Sequence, residues 1–303
     1  MIKGPFPSET ESMSTRFDML DSWTSRSVLQ TFWESQMAAT AAVLPALPQI
    51  ETAAEAAVEC LRSGNGRLVY AGAGTSGRIG VQDGAELPPT FGWPEARLVL
   101  MMAGGPAAFT QAIENAEDDT AAAAHEIAAQ RIGPGDVVIG IAASGSTPFT
   151  LAALQAARAA GACTIAVANA AGGAILTAAE FPILAETGAE PIAGSTRLKA
   201  GTAQKVVLNL FSSLVMIRLG HVYRGLMVDM QARNAKLRVR ARRMLAHLTD
   251  AAPDDIEVAL NATHGRVKPA VLMLMVGCNA GVADAVLARH RGHLRAALTE
   301  YRK

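Results

Sequence analysis

Five short apolar runs, at residues 67–71, 97–103, 136–142, 163–168 and 181–185, alternate along the chain with stretches of helical periodicity. A strand with one wet face alternates polar and apolar residues, whereas these runs are apolar almost throughout, so they belong in a sheet covered on both faces. Their alternation with helices makes the sheet parallel, because parallel neighbours need a long crossover between them. The predicted fold class is therefore α/β, a parallel sheet with helices on both faces. Ahead of the first strand, apolar residues recur every three or four positions from Ser25 to Leu61, which predicts an N-terminal helical segment. Beyond Gly201 the pattern is wholly helical, with Ala252-Pro-Asp254 as a joint before a small C-terminal helical domain. These shifts divide the chain into residues 1–55, 56–235 and 236–303.

Composition narrows the partners. Of 303 residues, 50% are hydrophobic, enough for a sizeable core, and Lys+Arg equal Asp+Glu at 27 each. A neutral chain lacks the basic surface that nucleic acid or an anionic membrane requires, so neither is expected as a partner. The one basic run, residues 233–243, interleaves its charges with apolar residues and reads as a solvated helix face. Cys60, Cys163 and Cys278 are far apart and odd in number, which predicts reduced thiols and no zinc site. The N-terminus, Met1-Ile-Lys-Gly-Pro5, has no signal-peptide core, and the longest apolar stretches are broken short of a membrane span; a cytoplasmic protein is expected.

In a parallel sheet, ligands bind beyond the carboxyl ends of the strands. The first strand ends in Gly72-Ala-Gly-Thr-Ser-Gly-Arg78, which satisfies G-x-G-x-x-G. A dinucleotide site would also need an acidic residue closing the second strand, yet that strand runs into Met101-Met-Ala-Gly-Gly105. The loop has no P-loop lysine either. What remains is hydroxyl-rich: Gly74, Thr75, Ser76 and Gly77; Ser144, Gly145, Ser146 and Thr147; and Ser195 with Thr196. The first two groups open helices, where free N–H groups and the helix dipole favour an anion. One such loop alone is a helix cap; two at strand ends of one sheet, each beside glycine, point to phosphate. Arg78, Arg197 and Lys199 are the candidate counter-charges.

Two carboxylates stand out by position. Glu86 lies in Asp83-Gly-Ala-Glu86-Leu-Pro-Pro89, at the end of a short helix after the first loop. Glu117 lies in Ile113-Glu-Asn-Ala-Glu117-Asp118, in a helix after the second strand. Such a pair can divide acid and base work if burial tunes one carboxyl toward neutral pH. Spacing alone does not separate that role from two solvated glutamates. The six histidines form no triad or metal pattern.

The stretch from about Gly66 to Lys236 resembles the sugar isomerase (SIS) domain family and, more narrowly, the N-acetylmuramic acid 6-phosphate etherases. The resemblance is carried by Gly72-Ala-Gly-Thr-Ser-Gly-Arg78, Glu86-Leu-Pro-Pro-Thr90, Ala103-Gly-Gly105, Glu114-Asn-Ala-Glu-Asp118 and Gly140-Ile-Ala-Ala-Ser-Gly145. Gly194-Ser-Thr-Arg-Leu-Lys-Ala-Gly-Thr-Ala-Gln-Lys205 and Leu226-Met-Val-Asp229 extend it. The tail from Glu257 to Leu298 is similar to that family's small C-terminal domain.

This resemblance implies a parallel-sheet SIS domain over residues 56–235 and a lyase that removes D-lactate from the C3 ether of N-acetylmuramic acid 6-phosphate. It implies Glu86 as the acid, Glu117 as the second catalytic carboxylate, a phosphorylated amino sugar as substrate, no cofactor, and a homodimer. A sugar-phosphate isomerase or a non-catalytic phosphosugar sensor, like the glucokinase regulatory protein, are the alternatives on the same domain. Three departures are visible. The family's Thr-Glu-Gly-Arg-Asn-like opening reads Thr10-Glu-Ser-Met-Ser14, an Asn-x-Glu-Asp-like stretch reads Trp33-Glu-Ser-Gln36, and Ser146 stands where the family typically carries Arg. A serine cannot reproduce the planar, bidentate anion grip of a guanidinium.

Overall fold

The computed structural model describes residues 8–230 and 235–301, so the opening Met1-Ile-Lys-Gly-Pro5 and Arg233, the start of the basic run, lie outside the described residues. The chain packs as two compact units. One contains the chain up to Ala85 and Ala96–Ser213, the other Glu86–Glu95 and the chain from Leu214 onward.

The first unit begins with α1 (Ser25–Ala41) and α2 (Leu47–Leu61). The Thr24 hydroxyl caps α1 by accepting the Ser27 N–H at 3.2 Å, satisfying one of the donors that a helix start leaves open. Then follow β1 (Leu68–Gly72), α3 (Gly74–Phe91), β2 (Leu98–Met102), α4 (Thr120–Ala129), β3 (Val137–Ile141) and α5 (Pro148–Ala159). The unit closes with β4 (Cys163–Ala168), α6 (Ala174–Ala178), β5 (Phe181–Leu184) and α7 (Lys199–Arg218); α3 and α7 both continue into the second unit.

All five strands are parallel, in the order β2-β1-β3-β4-β5. Every residue of β1, β3 and β4 is buried, which is why these strands read as unbroken apolar runs. Val69, Ala71, Val138, Ala166 and Ala168 turn one face toward Ala123 and Ile127 of α4, Phe149 and Leu154 of α5, and Ile175 of α6. On the other face α2 packs on β4 and β5, and α3 lies against Tyr70 and Ile141 at Gly80. Each fully buried Ile or Leu contributes about 2 kcal/mol. At the amino end of the sheet, Asp136 accepts the Arg67 backbone N–H (2.9 Å) and both Nε and a terminal nitrogen of its guanidinium, tying β1 to β3.

One element of the first unit departs from the sequence reading. The helix after the first loop is not short: α3 runs on through Pro88 and Pro89. Two prolines forfeit two i→i−4 bonds, but their small i−4 partners, Gly84 and Ala85, soften the ring clash. The helix ends at Gly92, whose left-handed φ of 67° lets its N–H reach the Pro88 carbonyl at 3.0 Å.

The second unit is not wholly helical either. β6 (Val222–Tyr223) and β7 (Leu226–Met227) pair antiparallel across Arg224-Gly225, both at positive φ. They are followed by α8 (Ala235–Thr249), α9 (Pro253–Ala262), α10 (Val267–Val276), α11 (Ala280–Arg289) and α12 (Leu294–Glu300). Val228, Leu245, Leu260, Val271, Val286 and Leu294 form its core, while Arg242 and Arg243 on α8 are exposed, as a solvated face requires. Residues 86–95 are held in this unit by His221, whose Nδ1 lies 2.9 Å from the Phe91 carbonyl and 2.7 Å from Asp229, with Trp93 edge-on to its ring. Lys268, almost fully buried, pairs with Asp229 from α10.

By length and composition alone, α7 could cross a bilayer; 56% of its most apolar window is buried inside the protein, as in the core helix of a globular domain.

Candidate active site

The strand order changes direction at β1, whose neighbours β2 and β3 lie on opposite sides. At such a switch point the loops leaving the two central strands part and open a crevice at their carboxyl ends. Here the loops after β1 and β3 diverge, and a cavity of about 370 Å³ opens between them, within the size range of small-molecule sites. It is lined by Gly74, Thr75 and Ser76 from the first loop, by Ser144, Ser146 and Thr147 from the second, and by Thr196 from the third.

Glycines set the first loop. Gly77 makes the opening helical bond of α3 to the Ala73 carbonyl at 3.0 Å and lies directly on the end of β1. A Cβ on Gly77 would come 2.7 Å from the Gly72 carbonyl oxygen and 2.5 Å from Met102 Sδ, so any side chain there forces the backbone to shift. Gly74 turns at a φ of 52°, and the free N–H groups of the first turn of α3 follow it. In the second loop Gly145, at φ 71°, packs against Gly173, and its carbonyl accepts the Ile175 N–H at 3.0 Å. Ser144 Oγ accepts the Ser146 N–H at 3.2 Å. Thr147 occupies the N-cap position of α5 without making a side-chain cap bond, so its hydroxyl is not consumed by the helix.

The helix that follows Thr196 is capped by a carboxylate that the sequence reading passed over. Glu190 is fully buried, and its two oxygens accept the Lys199 and Ala200 N–H groups, both at 2.9 Å, capping α7. Burial pushes its carboxyl above the usual range, against the pull of those two N–H groups and of the Lys199 charge.

The candidate counter-charges go elsewhere. Arg78 donates to the carbonyls of Ala108, Phe109 and Gln111, bracing the segment after β2. Lys199 donates to the Thr187 carbonyl, and burial lowers its ammonium below the ordinary lysine range. Arg197 is exposed, and neither it, Ser195, Gly77 nor Gly145 is among the lining residues. Among the described residues no cationic side chain lines the cavity. The groups there that favour an anion are hydroxyls, N–H groups and the amino ends of α3 and α5.

Three carboxylates line the cavity instead: Glu117, its neighbour Asp118, and Glu11, which comes with Ser8 from the N-terminal segment. Glu117 is carried on a 3-10 turn, Ala116–Asp118, rather than in a helix. Asn115, left-handed at φ 59°, breaks the helix there, and Asp119 caps α4 by accepting the Ala122 N–H at 2.8 Å. Glu86 lies on the exposed side of α3, in the stretch assigned to the second unit. Both Glu86 and Glu117 are exposed, so the burial expected to tune such a pair is not present in the single chain. Among the described residues no three His, Cys, Asp or Glu side chains are close enough to hold a metal ion.

Residues 50–158 match the glucokinase regulatory protein N-terminal SIS domain, and residues 109–214 match the SIS domain. Over nearly its whole length the chain is similar to proteins named N-acetylmuramic acid 6-phosphate etherase. It is 48% identical to that of Deinococcus radiodurans, covering 97% of this chain and 96% of that one. It is 45% identical to that of Cronobacter sakazakii, covering 98% and 99%. A Streptomyces avermitilis protein of the same name is 48% identical, covering 85% and 83%.

Proposed function

The chain belongs to the N-acetylmuramic acid 6-phosphate etherase family and is a carbon–oxygen lyase of that type, and on this premise we propose which residues bind the substrate and carry the reaction. The substrate is a phosphorylated amino sugar, and the products are lactate and N-acetylglucosamine 6-phosphate.

The phosphate is held by Thr75, Ser76, Ser144, Ser146, Thr147 and Thr196 with the N–H groups that open α3 and α5. The single observation that carries this reading is that all six hydroxyl residues line one cavity together with Glu117. Ser and Thr hydroxyls donate to phosphate oxygens without needing charge, and two helix amino ends supply the favourable field. Gly77 and Gly145 serve by close packing rather than by contact, and Arg78 by bracing its neighbours.

In the opened sugar, the aldehyde at C1 makes the C2 proton acidic. Glu117, as carboxylate, takes that proton; the C3–O bond breaks as the C2–C3 double bond forms. Glu86, as carboxylic acid, gives its proton to the departing lactate oxygen. Water then adds at C3 and a proton returns to C2, so the ether is hydrolysed with no net redox change. Support for Glu117 comes from its place on the cavity, and support for Glu86 from the Glu86-Leu-Pro-Pro-Thr90 block shared with the family. A homodimer belongs to the same reading. Leu29, Trp33 and Met37, spaced four apart on α1, expose 69%, 64% and 55% of their surface, an apolar stripe of the kind that a second copy covers.

The two roles separate in deuterium oxide. With N-acetylglucosamine 6-phosphate, Glu86→Gln retains exchange of the C2 hydrogen but releases no lactate from the substrate. Glu117→Gln loses both by roughly 100-fold or more. C2 exchange at the wild-type rate in Glu117→Gln refutes the assignment of the base.

A further inference from the structure

Of the three carboxylates that line the cavity, only Glu117 has a role in the reaction; Asp118 is its chain neighbour, and Glu11 comes from a separate segment. Glu11 stands on a short turn, Glu9–Glu11, that brings the N-terminal segment to the cavity wall. That turn is pinned. Thr10 is fully buried, its hydroxyl 2.8 Å from Ser8 Oγ; the Glu11 N–H meets the Ser8 carbonyl at 3.1 Å; and Ser12 Oγ donates to the Glu9 carbonyl at 2.6 Å. The Glu11 side chain is half-buried and has no hydrogen bond or ion pair among the described residues. Its Oε2 lies over Gly194, and a Cβ there would sit 2.9 Å from it. The Gly194-Ser-Thr196 loop thus leaves room for this carboxylate and delivers Thr196 to the same cavity.

Glu11 lines the cavity without a protein donor among the described residues, so a bound ligand that donates to it adds a hydrogen bond to a charged group. An ionised carboxylate only accepts hydrogen bonds. The phosphate dianion, the lactyl carboxylate and the aldehyde oxygen are acceptors as well, so none of them suits Glu11. The remaining groups of an N-acetylated amino-sugar phosphate are its hydroxyls and its acetamido N–H, which donate.

We infer that Glu11 is a specificity-determining residue of this site that accepts a hydrogen bond from a donor of the sugar chain, a hydroxyl or the acetamido N–H. The inference rests on the phosphosugar reading of the cavity. Its role is to select a sugar phosphate over a bare tetrahedral anion such as sulfate: Glu11 repels an anion that brings no donor and holds one that does.

The test is binding, so it stands apart from turnover. Affinities of the full chain for N-acetylglucosamine 6-phosphate and for inorganic sulfate are measured for wild type, Glu11→Ala and Glu11→Gln. Loss of a hydrogen bond to a charged group weakens the sugar phosphate roughly 10- to 100-fold in Glu11→Ala. Glu11→Gln, which keeps an acceptor oxygen without the charge, falls between the two. Sulfate, which has no donor, binds both variants as well as wild type or better. Sugar-phosphate affinity within twofold of wild type in Glu11→Ala overturns the inference, as does an equal loss for both ligands. Wild-type binding of N-acetylglucosamine 6-phosphate without lactate release would count against the etherase chemistry alone, whereas wild-type failure to bind it overturns both readings.

Discussion

Replacing Gly77 by Ala is the sharpest probe of how the fold builds the phosphate loop. The added methyl meets two neighbours of different stiffness. Met102 Sδ, 2.5 Å away, belongs to a flexible side chain and can give way, but the Gly72 carbonyl oxygen at 2.7 Å and its carbon at 2.8 Å are backbone of β1. β1 is bonded on both sides, to β2 and β3, so it cannot retreat. The amino end of α3 must therefore lift by several tenths of an ångström or more. Overpacking of this kind costs about 1–3 kcal/mol, against a gain of roughly 1 kcal/mol from replacing glycine inside a helix. Backbone contact wins, and the net loss is up to about 2 kcal/mol, a fall in Tm of up to a few degrees for a chain of this length. Thr75 and Ser76 move with the helix end, so affinity for N-acetylglucosamine 6-phosphate drops at least about tenfold, the worth of one good hydrogen bond. Calorimetry and a binding titration read the two effects. A Tm at or above wild type together with binding within twofold would refute the argument, because helix propensity would then have outweighed the contact.

Two further outcomes follow from the same geometry. Burial alone would raise the Asp136 carboxyl, but the Arg67 side chain and the Gly133 and Arg67 N–H groups hold it below its ordinary value of 3.8. A depressed carboxyl contributes stability that is full above that value and lost as pH falls through its folded value. Asp136→Asn therefore loses about 2–3 kcal/mol at neutral pH and shows a flatter decline below pH 4, read by urea unfolding across that range. At the cavity, Ser146→Arg supplies the missing lining cation; inorganic phosphate, measured by competition, should bind about tenfold more tightly, and unchanged binding would place residue 146 away from the anion.

What the sequence disclosed follows burial. Residues 163–168 form a strand with the predicted bounds because a strand covered on both faces leaves no polar interruption to blur its ends. β6 and β7 escaped notice because two half-buried residues carry no period, and only the glycine of Arg224-Gly225 marked their turn. The helix carrying Glu86 was expected to be short, yet α3 passes through Pro88 and Pro89, since small residues one turn earlier soften the clash that a proline usually makes. An Ala-rich context hid the break at Asn115, so Glu117 was expected on a helix and stands on a turn. The hydroxyl loops were legible because glycine at the end of a buried strand has few other uses. Ser8 and Glu11 were not, being some sixty residues from the loop they face; Thr10-Glu-Ser12 registered only as an altered opening. Arg78 looked like a phosphate ligand because a sequence does not reveal that three backbone carbonyls already hold it.

The central claim is that this chain cleaves the lactyl ether of N-acetylmuramic acid 6-phosphate while tolerating a cavity whose described lining has no cation. Incubating the purified chain with that compound, and measuring lactate and N-acetylglucosamine 6-phosphate together, tests it most directly. Equal amounts of both products are predicted, with release lost in Glu86→Gln. Absence of lactate from a wild-type chain that still binds N-acetylglucosamine 6-phosphate would contradict the claim.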